Sequence, residues 1–205
     1  MLLTSVLSLL GHALLVAALL MRPFHQRSWP RAWKAAVLVV VAAAVCAPYD
    51  SVPVVGYLRG AIGDLSVTTL LLLVASLFAF VTGRPLFPSH ERHALLAAVA
   101  VAALLLYPFA LGLTYFDSYS LGFGSTLMIT ALLLLTLIAW YAGLGLVVLC
   151  VVVACVTYMS GLLESNNLWD YLIDPLISVY ALFVTVPWLM ATIQWPKAGG
   201  TGDTR

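Results

Sequence analysis

The few charged residues of this chain fall in the gaps between long apolar runs, and their signs alternate from gap to gap. Basic residues occupy the first and third gaps and the C-terminal tail: Arg22, Arg27, Arg31 and Lys34, then Arg84 and Arg92, then Lys197 and Arg205. The intervening gaps are acidic or neutral and carry Asp50, Asp64, Asp117, Glu164, Asp170 and Asp174. Basic residues collect in the cytoplasmic loops of polytopic membrane proteins. The pattern therefore predicts a multi-pass membrane protein.

The composition supports this class and limits what else the chain can form. Hydrophobic residues make up 63% of the chain, charged residues make up 8%, and the mean hydropathy is +1.09. Too few polar groups remain to cover the surface of a soluble globule. Since a spanning helix needs about 20 apolar residues, the chain has room for roughly seven or eight spans and for no soluble domain.

Seven apolar segments predict an all-α transmembrane helical bundle with about seven spans. They lie roughly at 2–21, 31–48, 65–83, 94–112, twice within the uncharged run 126–163, and at 173–195. The uncharged run is too long for one span, so we expect a hairpin that turns at Tyr141–Gly145, where glycines break the helix. The second segment is short. Either its helix starts near Arg31, or Pro48, Pro53 and the glycines that follow form broken backbone within the membrane.

The basic residues also predict the orientation. With the N-terminus outside and the C-terminus cytoplasmic, eight of the nine basic residues lie on the cytoplasmic side. The first segment does not resemble a signal peptide, because its positive charge at Arg22 follows the apolar core instead of preceding it. We expect residues 1–195 to form a single transmembrane domain in a bacterial inner (cytoplasmic) membrane. A disordered cytoplasmic tail is expected at 196–205.

The first outer loop carries Arg59, the one basic residue on the predicted outer side, with Asp64 five residues later. An arginine can bind an anionic lipid headgroup or a phosphate through two parallel hydrogen bonds. Alternatively, Arg59 and Asp64 neutralise each other at a helix boundary. The sequence leaves both interpretations open.

The third outer loop is the most acidic, with Glu164, Asp170 and Asp174. On one continuous helix the carboxylates of Asp170 and Asp174 would share a face, because they are four residues apart. Asn166 or Asn167 is a candidate N-cap for a short interfacial helix. The carboxylates could hold a hard divalent cation or supply a general base. The alternative is an amphipathic turn that aromatic residues anchor among lipid headgroups.

The middle outer loop, residues 114–125, is rich in aromatic residues, glycine and serine and contains one carboxylate, Asp117. It could pack over the helix ends beside Arg59 and Asp174, so that three outer loops converge on one polar patch. The expected partners of this patch are membrane lipids or another envelope membrane protein. The oligomeric state is left open, and the chain shows no basic patch for nucleic acid.

His12 lies in the middle of the first apolar segment, where an ionisable residue is a functional candidate. A transmembrane haem usually needs two such histidines, and no other span offers one, so we expect an interhelical hydrogen bond. The three cysteines lack metal-ligand spacing. The sequence contains no zinc motif, phosphate-binding glycine loop or nucleophile motif. We therefore expect no cofactor and no metal.

The stretch Gly56–Ser66 resembles a segment in the membrane part of envelope phosphoglycerol and phosphoethanolamine transferases of the sulfatase-like superfamily. In those enzymes an arginine and an Asp-Leu pair flank the start of a span after an outer loop, as Arg59 and Asp64-Leu65 do here. Their catalytic threonine and metal ligands lie in a large extracytoplasmic domain, for which these 205 residues have no room. The resemblance therefore implies an accessory protein or a free-standing membrane module of envelope metabolism.

Three functions are compatible with these patterns. The leading hypothesis is a non-catalytic accessory subunit or lipid-headgroup-binding module of the cell envelope, carried by Arg59, Asp64, Asp170 and Asp174. The second is a small transporter or channel for an uncharged or weakly polar solute, although the spans offer few polar side chains for it. The third is a membrane-embedded enzyme that uses the outer-loop carboxylates.

Overall fold

The computed structural model of the protein describes residues 2–24, 27, 29–49, 52–113 and 115–192. These residues form nine α-helices: α1 (Leu2–Met21), α2 (Arg31–Cys46), α3 (Val54–Ile62), α4 (Val67–Thr82), α5 (Ser89–Ala110), α6 (Thr126–Tyr141), α7 (Gly145–Met159), α8 (Leu168–Leu172) and α9 (Pro175–Thr192). Short 3-10 turns lie at Arg22–Phe24 and Tyr119–Gly122. Strands β1 (Pro48–Tyr49) and β2 (Val52–Pro53) pair antiparallel, with Pro48 opposite Pro53. The predicted all-α class is confirmed.

The helices follow the predicted apolar segments. α1 has the predicted limits, and the α6–α7 hairpin turns where expected, with Gly143 in a left-handed conformation at φ +69°. α2 starts at Arg31, as the first of the two alternatives for that segment predicts, and ends at Cys46, before the residues on which the second alternative depends. The short helix α3 was not predicted. Asp50, the end of the last apolar segment and the tail at 196–205 lie outside the described residues.

One end of the bundle, which we call the acidic end, contains the N-termini of α4 and α9. Ser66 immediately precedes α4 and is hydrogen-bonded to Asp174, which immediately precedes α9. Ser8, in the first turns of α1, donates a hydrogen bond to Asp64 in the turn between α3 and α4. Helices α1, α4 and α9 therefore run in the same direction, away from this end.

The opposite end, which we call the basic end, contains the N-termini of α2, α5 and α7. The ammonium of Lys34 donates to the carbonyl oxygen of Phe80, near the end of α4, at 3.1 Å. At the start of α5, Glu91 Oε2 accepts a hydrogen bond from the amide of Leu146 at 2.7 Å. In each case a charged side chain complements the partial charge of a helix terminus.

The hydrophobic core lies between α4, α5, α7 and α9, with α8 across its acidic end. Its most deeply buried members include Leu146, Ala154, Tyr171 and Ala181. α1 packs on α2, α3 and α4. In contrast, α6 packs on α7 and on the 3-10 turn at 119–122 and leaves most of its large apolar side chains exposed.

Two helical segments of the described chain are long and apolar enough to cross a membrane. They are Thr4–Phe24, with 21 residues, and Ser89–Ala110, with 22 residues. Four shorter apolar helices accompany them: Val67–Thr82, Thr126–Tyr141, Gly145–Met159 and Pro175–Met190.

Replacing Glu91 by alanine is expected to lower the thermal unfolding midpoint of the detergent-solubilised protein. The variant removes the acceptor at the N-terminus of α7, a loss worth about 1 kcal/mol for a typical helix cap. Glu91→Gln keeps an acceptor oxygen and should lose less stability. Equal midpoints for the wild type and both variants would contradict the capping role.

Candidate functional site

The carboxylate of Asp174 joins the N-termini of two helices at the acidic end. Its Oδ2 accepts hydrogen bonds from the amide of Ser66 at 2.9 Å and from the hydroxyls of Ser66 at 2.8 Å and Thr69 at 2.5 Å. Its Oδ1 accepts from the amide of Ile177 at 2.9 Å, within the first turn of α9. Asp174 is only 5% exposed. An anion in this position complements the positive ends of both helices.

The expectation that Asp170 and Asp174 share a helix face is wrong. α8 ends at Leu172, and Ile173 is extended at φ −141° and ψ 150°. Pro175 explains the break, because a proline disfavours helical backbone at the residue before it and suits the first position of a new helix. The two carboxylates therefore belong to different elements.

Asn167 caps α8, as one of the two asparagines was expected to do. Its side-chain Oδ1 accepts a hydrogen bond from the amide of Trp169 at 2.9 Å. The buried hydroxyl of Tyr171 holds the loop before α8, accepting from the amide of Leu163 and donating to the carbonyl of Ser165, both at 3.1 Å. The third outer loop is thus fixed by its own side chains.

The middle and third outer loops are joined by side-chain hydrogen bonds. Asn167 Nδ2 donates to the carbonyl of Tyr119 at 2.8 Å, and Trp169 Nε1 donates to that of Ser118 at 3.0 Å. The loops also meet at Gly122, where an added Cβ would overlap the side-chain oxygen of Asn167 and lie 2.8 Å from Cδ1 of Trp169. This approach requires glycine at position 122.

Asp170 receives two hydroxyl donors from these loops. Its Oδ2 accepts from the phenol of Tyr119 at 2.9 Å and from the hydroxyl of Ser165 at 2.5 Å. Burial raises the pKa of Tyr119, and its hydrogen bond to Asp170 raises that pKa further. The phenol therefore stays protonated and acts as a donor at neutral pH.

Arg59, in α3, bridges the turn before α4 and the loop before α8. Its Nε lies 2.8 Å from Asp64 Oδ1, and its Nη2 lies 2.5 Å from Glu164 Oε1. The hydrogen bond to Asp64, followed by that to Glu164, raises the pKa of Arg59. Burial alone would raise the pKa of Asp64, but hydrogen bonds from Arg59 and Ser8 help to bring it below its ordinary value. Of the two interpretations of Arg59, mutual neutralisation with Asp64 matches this geometry.

His12 ties α1 to the turn that carries Asp64. The imidazole is fully buried, with Nδ1 2.8 Å from the carbonyl oxygen of Ser8 and Nε2 3.0 Å from that of Gly63. The hydroxyl of Ser8 in turn donates to Asp64 Oδ1 at 2.5 Å. The hydrogen bond expected of His12 therefore reaches the backbone turn before α4.

A cavity of about 410 Å³ opens where these loops meet. Three carboxylates, two phenols and a serine supply its polar groups: Asp64, Asp170, Asp174, Tyr107, Tyr119 and Ser165. Apolar residues complete its wall: Ile62, Leu106, Ala110, Leu163, Ile173 and Pro175. No lysine, arginine or histidine is among these described lining residues. The three loops predicted to converge do meet at the acidic end, and this cavity lies between them.

Two predicted site residues, Glu164 and Asp117, are exposed and do not line the cavity. Glu164 lies on the solvent side of Arg59, with its side chain 61% exposed. Asp117 is exposed outside the cavity wall, and its Oδ1 accepts from the amide of Tyr119 at 2.9 Å, which shapes the 3-10 turn. Asp117 therefore has a structural role in the middle loop.

The arrangement offers hydrogen-bond acceptors for a ligand. No three His, Cys, Asp or Glu side chains in the described part of the chain lie close enough together to hold a metal ion. The cavity can instead accept hydrogen bonds from a ligand larger than a single ion, because its carboxylates are spread around an apolar wall.

Sequence reasoning missed several residues of the site. The pair Ser66 and Thr69 could have been recognised, because a serine before an apolar run is a typical N-cap and its hydroxyl accepts from the amide of Thr69. The phenols of Tyr107 and Tyr119 gave no comparable signal, since their roles depend on contacts with distant loops.

Comparison with known proteins adds no assignment: the chain matches no protein-family model, no curated protein and no solved structure.

Acid should destabilise the wild type more steeply than the Asp64→Asn variant. The pKa of Asp64 is lowered in the folded protein, so its stabilising effect is fully present above about pH 4, the ordinary range for an aspartate. That effect is lost as the pH falls through the lowered folded-state pKa. Thermal midpoints measured from neutral pH to pH 2 would test this. Parallel profiles for the two proteins would contradict it.

Proposed function

We propose that the chain is an integral membrane protein in which α1, α2, α4, α5, α6, α7 and α9 cross the bilayer. Two of these helices have the necessary length and composition. The others have 15–18 residues and rise about 23–27 Å, slightly less than the hydrocarbon core of about 30 Å. Local thinning of the bilayer accommodates a difference of this size. The exposed apolar surface of α6 supports the same proposal, since soluble monomeric proteins rarely expose so many large apolar side chains together.

In this proposal the basic end faces the cytoplasm and the acidic end faces the outside of a bacterial inner membrane. Near the basic end lie Arg22, Arg31, Lys34, Arg84 and Arg92, whereas the acidic end carries Arg59 as its one described basic residue. The positive-inside rule then assigns the N-terminus to the outside and the C-terminus to the cytoplasm.

Site-directed labelling tests this orientation. In a variant with Cys46, Cys150 and Cys155 replaced by alanine, a membrane-impermeant maleimide should label Asn166→Cys in intact spheroplasts. It should label His90→Cys only after the membrane is broken, because residue 90 lies at the basic end. The reverse pattern would overturn the orientation, and labelling of both positions in intact cells would overturn the seven-span arrangement.

We propose that the protein acts as a non-catalytic accessory subunit or lipid-headgroup-binding module of the cell envelope. The observation that carries this function is the cavity at the acidic end, with carboxylates and phenols set in an apolar wall. Such a combination suits the polar headgroup of a lipid and the first carbons of its chains. The position of the cavity at one end of the bundle would place it at the depth of the headgroups.

The hydrogen bonds of the site favour binding over catalysis. Asp174 is buried and accepts four hydrogen bonds, and Asp64 is held by Arg59 and Ser8. A general base must reach the proton that it removes and must have a pKa near the working pH. The lowered pKa of Asp64 and the internal partners of Asp174 suit fixed structural charges instead.

The distribution of buried polar groups gives less support to a transporter or channel. The buried polar side chains of the described residues all belong to the acidic half of the bundle: Ser8, His12, Ser66, Thr68, Thr69, Ser118, Asn167, Asp174 and Ser178. A path for a charged or strongly polar solute would need polar groups along the whole width of the membrane. A site open to one side agrees better with headgroup recognition.

The resemblance of Gly56–Ser66 to the membrane part of envelope transferases favours a role beside an envelope enzyme. Arg59 and Asp64, the residues that carry the resemblance, form the ion pair at the edge of the cavity. We propose that the cavity presents or senses a lipid headgroup, while the chemistry is performed by a partner membrane protein.

Native mass spectrometry of the gently solubilised protein from its own membrane tests this function. We expect a stoichiometric bound lipid or a heterologous subunit. Ala110→Phe, which places a ring in the cavity wall, should reduce lipid retention at least several-fold. The control Ala142→Phe places the same ring at the exposed turn of the opposite end and should retain lipid normally. A bare homo-oligomer in every sample would overturn the proposal and favour a transporter.

A further inference from the structure

We propose that the cavity at the acidic end binds a protonated amine, with Asp170 supplying the ionic contact. This inference rests on the proposed headgroup-binding function and names the chemistry of its ligand. The amine belongs either to the headgroup of a lipid or to a free organic cation, because both present the same N–H donors to the cavity.

Two of the three carboxylates that line the cavity already have internal compensation. Asp64 is paired with the guanidinium of Arg59 at 2.8 Å. Asp174 receives two backbone amides and two hydroxyls and lies at the N-termini of α4 and α9, whose partial positive charges offset it. Neither carboxylate requires a ligand for its charge to be accommodated.

Asp170 lies in the first turn of the short helix α8 but has neither a guanidinium nor a backbone-amide partner for its carboxylate within the described residues. It accepts hydrogen bonds from two neutral hydroxyls, both on Oδ2. Its Oδ1 accepts no hydrogen bond from any described residue, and the ion pairs found there involve Asp64 and Glu164 alone. A carboxylate with a free oxygen in a cavity wall is a strong acceptor for a cationic N–H donor.

The same charges disfavour an anionic ligand. Asp64, Asp170 and Asp174 line the cavity, and Arg59 and Glu164 lie beside it, so these described residues carry a formal charge of −3 when all four carboxylates are ionised. Two nitrogens of Arg59 are already engaged by Asp64 and Glu164. A phosphate in the cavity would therefore meet negative potential and no free arginine fork.

Cavity size and shape favour an organic cation over a metal ion. The volume of about 410 Å³ falls in the range of small-molecule sites, and the described acidic side chains form no metal-binding group. Two aromatic residues, Tyr107 and Tyr119, are also among the lining residues, and aromatic side chains can attract ammonium groups.

A buried hydroxyl next to the cavity also has capacity for a further polar contact. Ser178 lies one turn along α9 from Asp174, is 2% exposed, and makes no hydrogen bond to the described residues within bonding distance and angle. Its hydroxyl is close enough to Tyr107 to interact with the phenol, and Tyr107 lines the cavity. A polar ligand that reached this hydroxyl directly or through Tyr107 would add a hydrogen bond.

Binding of butylammonium to the full chain in a non-ionic maltoside detergent tests the inference. Butanol and butyrate serve as neutral and anionic comparators, calcium chloride serves as the metal comparator, and dissociation constants come from tryptophan fluorescence or thermal shifts. We expect butylammonium to bind at least about tenfold more tightly than each comparator. Asp170→Asn should weaken it at least about tenfold, because the amide keeps an acceptor for Tyr119 and Ser165 but loses the charge.

Two further variants test whether the loss of binding is specific to the charge of Asp170. Asp117→Asn removes one negative charge from the exposed middle loop, outside the cavity wall, and should bind butylammonium as the wild type does. Tyr119→Phe removes one internal donor to Asp170 and should bind the amine at least as tightly. If Asp170→Asn does not fold, the comparison of ammonium, alcohol and carboxylate on the wild type still decides the ligand class.

Vesicle experiments separate the two sources of the amine. Preferential retention of an ammonium-bearing lipid over an anionic lipid, lost in Asp170→Asn, identifies a lipid headgroup. Binding of free butylammonium without lipid retention identifies a soluble amine. Tight retention of an anionic lipid, unchanged in Asp170→Asn, would overturn this inference but leave headgroup binding intact. Absence of both lipid and amine binding would overturn both proposals.

Discussion

The carboxylate of Asp174 is the contact on which the acidic end depends. It satisfies amides at the start of two helices and binds two hydroxyls in a buried position. A nonpolar side chain in place of Asp174 would leave those donors unpaired, at a cost of about 1–3 kcal/mol each. Because Asp174 holds the starts of α4 and α9 together, it also fixes one wall of the cavity. Asp174 therefore both stabilises the helix ends and shapes the cavity.

Most carboxylates at the acidic end are compensated by direct partners within the fold. Arg59 and the two helix termini compensate three of the carboxylates, so that the remaining one, Asp170, faces the cavity supported by neutral hydroxyls. In a low-dielectric setting an unpaired carboxylate interacts more strongly with a cation than it would in water. The selectivity proposed for the cavity follows from which charges the fold leaves unpaired.

Local patterns were sufficient to predict much of the fold. The apolar runs predicted the long helices, Gly143 and its neighbours predicted the α6–α7 turn, and Asn167 predicted the cap of α8. The pairing of Asp174 with Ser66 could not be predicted, because 108 residues separate them and a single sequence does not show which helix ends adjoin. The separation of Asp170 from Asp174 has a local cause that the sequence shows, because Pro175 disfavours helical backbone at Asp174.

The distance along the chain between Ser66 and Asp174 has a consequence for biosynthesis. Helix α4 leaves the ribosome long before Asp174 does, since synthesis proceeds from the N-terminus at about 5–20 residues per second. For that interval, the start of α4 lacks its carboxylate partner and must be stabilised by its own serine cap. The contact between Ser66 and Asp174, and the cavity wall that depends on it, can therefore form only after α9 has been synthesised.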